Sequence, residues 1–220
     1  MIEFKNFMLK LLGFKKPSVY QMLIRRLEIL YDLSLGLDFL SVRKYEQIGF
    51  DKNLVSKASP SGNKYLTDIL KDMKISNNDN ILDIGSAKGS ALKYFSKFPF
   101  KKIDGLELSK TLAQICTNNF RVLNISNIKV HNISATEFRG YNDYNFFYLY
   151  NPFPEIVMKK VIDCLKKQIS SKPITIIYNN PVCHNVLINN GFLLLKKYPD
   201  MWGNGINVYT NVVKSNNNLE

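Results

Sequence analysis

A chain of 220 residues is long enough for one domain with its own core, and a hydrophobic fraction of 45% supplies ordinary core material. No apolar run reaches the roughly 18 residues that span a bilayer, and Glu3, Lys5 and Lys10 interrupt the start too early for a secretory h-region, so a cytoplasmic protein is expected. The formal net charge of +12 invites a polyanion partner. However, only five of the 30 basic residues are Arg, the better reader of phosphates and base edges, and the Lys are spread along the chain as on a solvated surface. Cys116, Cys164 and Cys183 lack CxxC spacing and have only His131 and His184 to help, which excludes a convincing zinc site and a disulfide framework; reduced core thiols are expected.

Residues 1–60 read as an N-terminal helical extension, 61–214 as the main domain and 215–220 as a frayed tail. In the extension, Phe4, Phe7, Met8, Leu11 and Leu12 recur at helical spacing. A second apolar stripe, Tyr20, Leu23, Ile24, Leu27 and Tyr31, has Arg25, Arg26 and Glu28 opposite, and packing against its own domain or a partner is expected of such a segment. Leu66, Ile69, Leu70 and Met73 mark an amphipathic helix. Thereafter strands and helices alternate. The strands are Ile81–Ile84, Lys102–Leu106, Ile128–His131, the nearly all-apolar Tyr144–Tyr150 and Ile174–Tyr178, followed by a closing pair at Phe192–Tyr198 and Ile206–Val213. Helices are expected over Ala91–Phe98, after a cap at Ser109, and over Glu155–Ser170. This alternation predicts an α/β fold with a doubly wound, mostly parallel seven-stranded sheet.

The stretch from Asn80 to Glu107 carries the chemistry. Asp83 ends a strand, and Gly85 and Gly89 lie in the turn that opens the next helix, where backbone can approach a ligand that any side chain would block. Glu107 ends the second strand, where dinucleotide-type folds place an acid for ribose hydroxyls. A carboxylate at position 83 would repel a pyrophosphate but suits the ammonium of an amino-acid moiety. Glycines in a βα turn are weak evidence alone; the ordered set of strand, acid, glycines, helix, strand and acid is strong.

This set resembles motif I and the following acid of class I S-adenosylmethionine (SAM) dependent methyltransferases, with Ala87 standing where the family has its middle glycine. The resemblance implies SAM as cofactor, held by Asp83, Gly85, Ser86, Ala87, Gly89, Glu107, Leu108, Ser134, Ala135 and Asn151, with no metal. Ser134 stands where the family often has an acid for the adenine amino group. Asn151-Pro152-Phe153-Pro154 resembles the Asn-Pro-Pro-aromatic motif of methyltransferases acting on planar nitrogens. Asn151, Pro152 and Phe153 are the implied catalytic positions, although the aromatic stands one place early. The same four residues also read as a strand-to-helix turn in which Pro starts a helix. Residues 60 to 213 are similar to small bacterial SAM methyltransferases with an Asn-Pro-Phe after strand four, and Ser59-Pro60-Ser61 is distantly similar to Dot1-like protein-lysine methyltransferases.

The implied reaction is methyl transfer to an amino nitrogen of a small molecule, glycan or protein. The alternatives are an RNA or DNA methyltransferase, less favoured for want of the stacking aromatic, and a non-catalytic SAM-fold binding protein, to which Ala87 and Ser134 point. A nicotinamide dehydrogenase is disfavoured by Asp83. No general base stands out: His184, His131, Tyr45, Tyr148, Tyr178 and Asp143 are the candidates.

Overall fold

The computed structural model describes residues 19–42, 64–169, 172–200 and 204–212. The first apolar stripe, Tyr45, the Ser59-Pro60-Ser61 loop and the tail lie outside the described residues. Seven strands form one sheet in the order β3-β2-β1-β4-β5-β7-β6. They are β1 (Asn80–Ile84), β2 (Lys102–Leu106), β3 (Ile128–His131), β4 (Phe146–Tyr150), β5 (Thr175–Asn179), β6 (Leu193–Tyr198) and β7 (Ile206–Thr210). The first five are parallel, and β7 runs antiparallel between β5 and β6. The α/β, mostly parallel seven-stranded sheet expected from the sequence is therefore present.

The helices are α1 (Val19–Ser34), α2 (Lys64–Asp72), α3 (Ser90–Phe95), α4 (Lys110–Val122), α5 (Glu155–Ile169) and α6 (His184–Asn189). Period-two alternation in the strands feeds two cores. On one face Leu82, Ile84, Phe147 and Leu149 meet Met158, Val161 and Leu165 of α5. On the other, Ile81, Ile103, Tyr148 and Ile177 meet Leu66, Ile69 and Leu70 of α2 and Leu92 and Phe95 of α3. Leu37 and Phe39, which follow α1, join this second core. Ser109 caps α4 as expected, accepting from the Leu112 N–H at 3.3 Å.

Four expectations change. Strand β7 ends at Thr210, with residues 211–212 outside it, short of the Ile206–Val213 expected. Helix α3 ends at Phe95 rather than Phe98, because residues 96–98 tighten into turns ahead of Pro99. Strand β4 begins at Phe146, because Tyr144 closes the 3-10 turn over Tyr141–Asp143, its N–H donating to the Tyr141 carbonyl at 3.2 Å while its hydroxyl bonds the buried Asp104 at 2.6 Å. The stripe on α1 is exposed, with Leu23, Leu27 and Tyr31 at 55%, 56% and 68%. The last turn of α1 is tied to the segment that enters the second core: Asp32 accepts from the N–H groups of Phe39 (2.6 Å) and Leu40 (3.2 Å). Among the described residues no helix is long and apolar enough to cross a membrane.

Candidate functional site

Strand β1 delivers Asp83 to the carboxyl edge of the sheet, in register with Gly105 of β2 and Tyr148 of β4. Its carboxyl is 2% exposed and Oδ2 has no hydrogen-bond partner. Burial, and secondarily the nearby Glu107, hold it well above the usual aspartate range. The turn that follows is anchored to β2, since the Gly85 and Ser86 N–H groups both donate to the Leu106 carbonyl at 2.9 Å. Gly85 has φ +85°, and a Cβ there would lie 2.8 Å from Pro152 Cβ. Gly89, also at φ +85°, would press a Cβ to 2.6 Å from Cys116 Sγ, so this glycine serves the approach of α3 to α4. The Ser86 hydroxyl is buried and unpartnered. Ala87 is held at φ +47° and donates its N–H to Glu107 Oε2 at 2.8 Å.

Glu107 is 7% exposed, and its other oxygen accepts from the Ser109 N–H at 2.7 Å. Burial raises its pKa, and these backbone donors oppose the rise. Leu108, next to it, is 45% exposed, an apolar surface beside an acid. Asn132 donates from Nδ2 to the carbonyls of both Glu107 and Leu108 at 2.9 Å, joining the loops after β2 and β3. In the second loop the Ser134 hydroxyl lies 2.8 Å from that of Thr136 and accepts from the Thr136 N–H. Ala135 is buried, and its carbonyl accepts from the Tyr141 hydroxyl at 2.7 Å. The carboxyl ends of β1, β2 and β3 thus gather two buried carboxylates, a glycine turn and an apolar shelf. Such an arrangement can take up an ammonium and a pair of hydroxyls.

The β4 end closes the other side. Asn151 takes φ +39°, and Pro152 fills the space that Gly85 leaves. Phe153 packs on the core beside α5, and the Pro154 carbonyl accepts from the Val157 and Met158 N–H groups at 3.0 Å, starting that helix. The segment is therefore a strand-to-helix turn that also touches the glycine turn.

The sequence reading passed over Asn179, the last residue of β5, opposite Tyr150. It is 2% exposed, donates from Nδ2 to the Tyr148 hydroxyl at 3.1 Å, and leaves Oδ1 unpartnered. Nothing in the spacing singles it out; only the register places it at the edge where parallel sheets take their ligands. The histidines are engaged elsewhere. His131 Nε2 lies 2.9 Å from Asp104, and His184 Nδ1 lies 2.7 Å from the Tyr209 hydroxyl. Tyr178 accepts from the Cys183 N–H, and Asp143 pairs with Lys102 at the surface. Cys116 and Cys183 are buried thiols and Cys164 is half-buried. Among the described residues no group of His, Cys, Asp and Glu is arranged to hold a metal.

No protein-family model matches the chain, and no curated protein matches it in sequence. In structure it is similar to a SAM-dependent methyltransferase from Aquifex aeolicus, with TM-score 0.54 and 14% identity over 66% of this chain and 87% of that one. A ribosomal protein L11 methylase from Lactobacillus delbrueckii subsp. bulgaricus gives TM-score 0.52 and 14% identity over 73% and 82%. An RNA methyltransferase from Salinibacter ruber, in complex with S-adenosyl-L-homocysteine, gives 0.50 and 15% over 69% and 91%. At these identities the likeness is one of fold: the chain has the Rossmann-like α/β fold of SAM-dependent methyltransferases.

Proposed function

We propose that the protein is a SAM-dependent methyltransferase acting on an amino nitrogen. The observation that carries the reading is the buried carboxylate of Asp83, whose Oδ2 has no partner beside a glycine turn that a Cβ would fill. A charge left in that state is costly unless a cation completes it. The α-ammonium of SAM has the right sign, and a dinucleotide pyrophosphate has the wrong one. Glu107 has two oxygens that keep lone pairs for ribose hydroxyls after accepting from Ala87 and Ser109. Leu108 offers an apolar face to the adenine, and the 134–135 turn lines its edge. Bound there, SAM supplies an activated methyl on a sulfonium, so positioning and proton removal are what the protein must add.

On the acceptor side, the Asn151 side-chain carbonyl and the Pro152 backbone carbonyl accept N–H bonds from the target and orient its lone pair. Phe153 walls the site. Asn179 Oδ1 is a third acceptor two strands from Asp83, suited to another N–H of an amine or amide. Three neutral acceptors, and no engaged base among the described residues, favour a nitrogen that loses its proton readily over an alcohol. A cytoplasmic location and a protein, glycan or small-molecule acceptor complete the reading, with residues 1–60 as the place where acceptor recognition is added.

Calorimetric titration with S-adenosylhomocysteine is the test. Wild type should bind with micromolar Kd, and Asp83→Ala and Glu107→Ala should each weaken binding at least tenfold. Absence of binding at millimolar ligand would return the fold to a non-catalytic role. Steep loss of activity on polynucleotide with added salt would instead move the acceptor to nucleic acid.

A further inference from the structure

One side chain of the glycine turn points away from the site. Lys88 is 6% exposed, and its ammonium donates to Asp38 Oδ1, to the Ser41 carbonyl at 2.6 Å and to the Ser41 hydroxyl at 3.0 Å. Asn119 of α4, wholly buried, ties the same two segments through the backbone. It accepts from the Asp38 N–H at 2.8 Å and donates to the Lys88 carbonyl at 3.0 Å. The turn and the segment after α1, 50 residues apart at Lys88 and Asp38, are thus joined by charge and by backbone.

A buried ammonium–carboxylate pair is an expensive fastener, since apolar side chains of similar size would hold a loop at less desolvation cost. What the pair adds is direction. Ala87, next to Lys88, is a non-glycine residue at φ +47°, a conformation that persists only where its surroundings over-determine it. Glu107 fixes Ala87 by its N–H on one side. Lys88 is fixed on the other at both its carbonyl and its ammonium.

We propose that Lys88 is a positioning residue for the cofactor turn. Asp38, Ser41 and Asn119 form the latch through which the segment following α1 sets the turn's affinity for SAM. The proposal rests on the cofactor reading above. Coupling of this kind is reciprocal, so a ligand that orders the turn also tightens the latch.

The test uses the full chain and S-adenosylhomocysteine as probe, at a temperature well below each variant's Tm. Lys88→Met removes the charge while keeping the length. Lys88→Met combined with Asp38→Leu removes both charges, so no buried ion is left unpaired. Each variant should bind the probe about tenfold or more weakly. Hydrogen exchange at the Phe39 and Leu40 amides should slow on adding probe to wild type, and not in either variant. A merely structural lysine would leave that ligand-dependent protection in place. Binding by the double variant within twofold of wild type overturns the latch, and so does wild-type exchange that saturating probe leaves unchanged, even where a variant fails to fold. Wild type that binds no probe removes the cofactor reading and the latch together. Wild type that binds with both variants unaffected removes only the latch.

Discussion

Two aspartates lie on adjacent central strands, each 2% exposed, and they are built for opposite ends. Asp104 of β2 is closed by protein: Oδ2 accepts from the Tyr144 hydroxyl at 2.6 Å, lies 2.9 Å from His131 Nε2, and has Lys102 Nζ at 3.7 Å. Asp83 of β1 is open, with Oδ2 unpartnered and glycine backbone beside it. The register sets Asp104 against Leu82 and Asp83 against Gly105, which sends the two side chains to opposite faces of the sheet. Burial alone does not mark a functional carboxylate. Burial at a strand end beside a glycine turn, with an oxygen left unpartnered, is what makes Asp83 the candidate.

Exchanging each aspartate for asparagine tests that contrast most severely. Asp104→Asn leaves Tyr144 and His131 facing an amide, and should cost about 3 kcal/mol in chemical denaturation, while S-adenosylhomocysteine affinity of the folded protein stays within about threefold. Asp83→Asn should do the reverse. Apo stability should hold or rise, because a buried carboxyl oxygen without a partner is removed, and affinity should fall at least tenfold with the lost charge-assisted bond. Equal stability losses in the two variants would erase the distinction.

pH sharpens the same contrast. Asp83 and Glu107 both titrate above their ordinary values of 3.8 and 4.5, chiefly through burial. Carboxyls raised in the folded state contribute stability that is present below the ordinary values and lost as pH climbs through the folded ones. Apo stability should therefore decline on the alkaline side of the ordinary carboxylate range. Ligand affinity should improve over the same rise, because the ammonium requires ionised Asp83, and binding should release protons in calorimetry run in buffers of different ionisation enthalpy. Affinity that is flat with pH would mean that Asp83 does not meet the ammonium.

The sheet was legible because its signals are local. Phe146–Tyr150 is apolar throughout as a central strand must be, and Ser109 caps as its hydroxyl predicts. The strand carrying Asp83, the turn at Gly85 and the strand end before Glu107 were legible because strand, glycine turn, helix and strand follow one another at short, regular spacing. Lys88, Asn119 and Asn132 were not, because their partners lie far along the chain or in another loop and leave no periodicity. Tyr144 reads as strand in sequence, but its N–H closes the 3-10 turn before β4 and its hydroxyl goes to the distant Asp104. The α1 stripe has helical period, but period says nothing of which surface the stripe meets.

The smallest expected effect concerns the residue where the turn departs from the family pattern. Ala87 at φ +47° bears the left-handed penalty, about 1–2 kcal/mol for a residue with a Cβ, and on the cofactor reading its methyl narrows the ligand's approach. Glycine relieves that strain but is looser in the unfolded chain by about 0.5–1 kcal/mol, so Ala87→Gly should leave stability within about 1 kcal/mol of wild type. Affinity for S-adenosylhomocysteine should improve a few-fold, provided the methyl and not the backbone limits the approach. Unchanged affinity would mean that Glu107 and Lys88 already hold the turn at its final distance, and that the alanine is accommodated at no cost to binding.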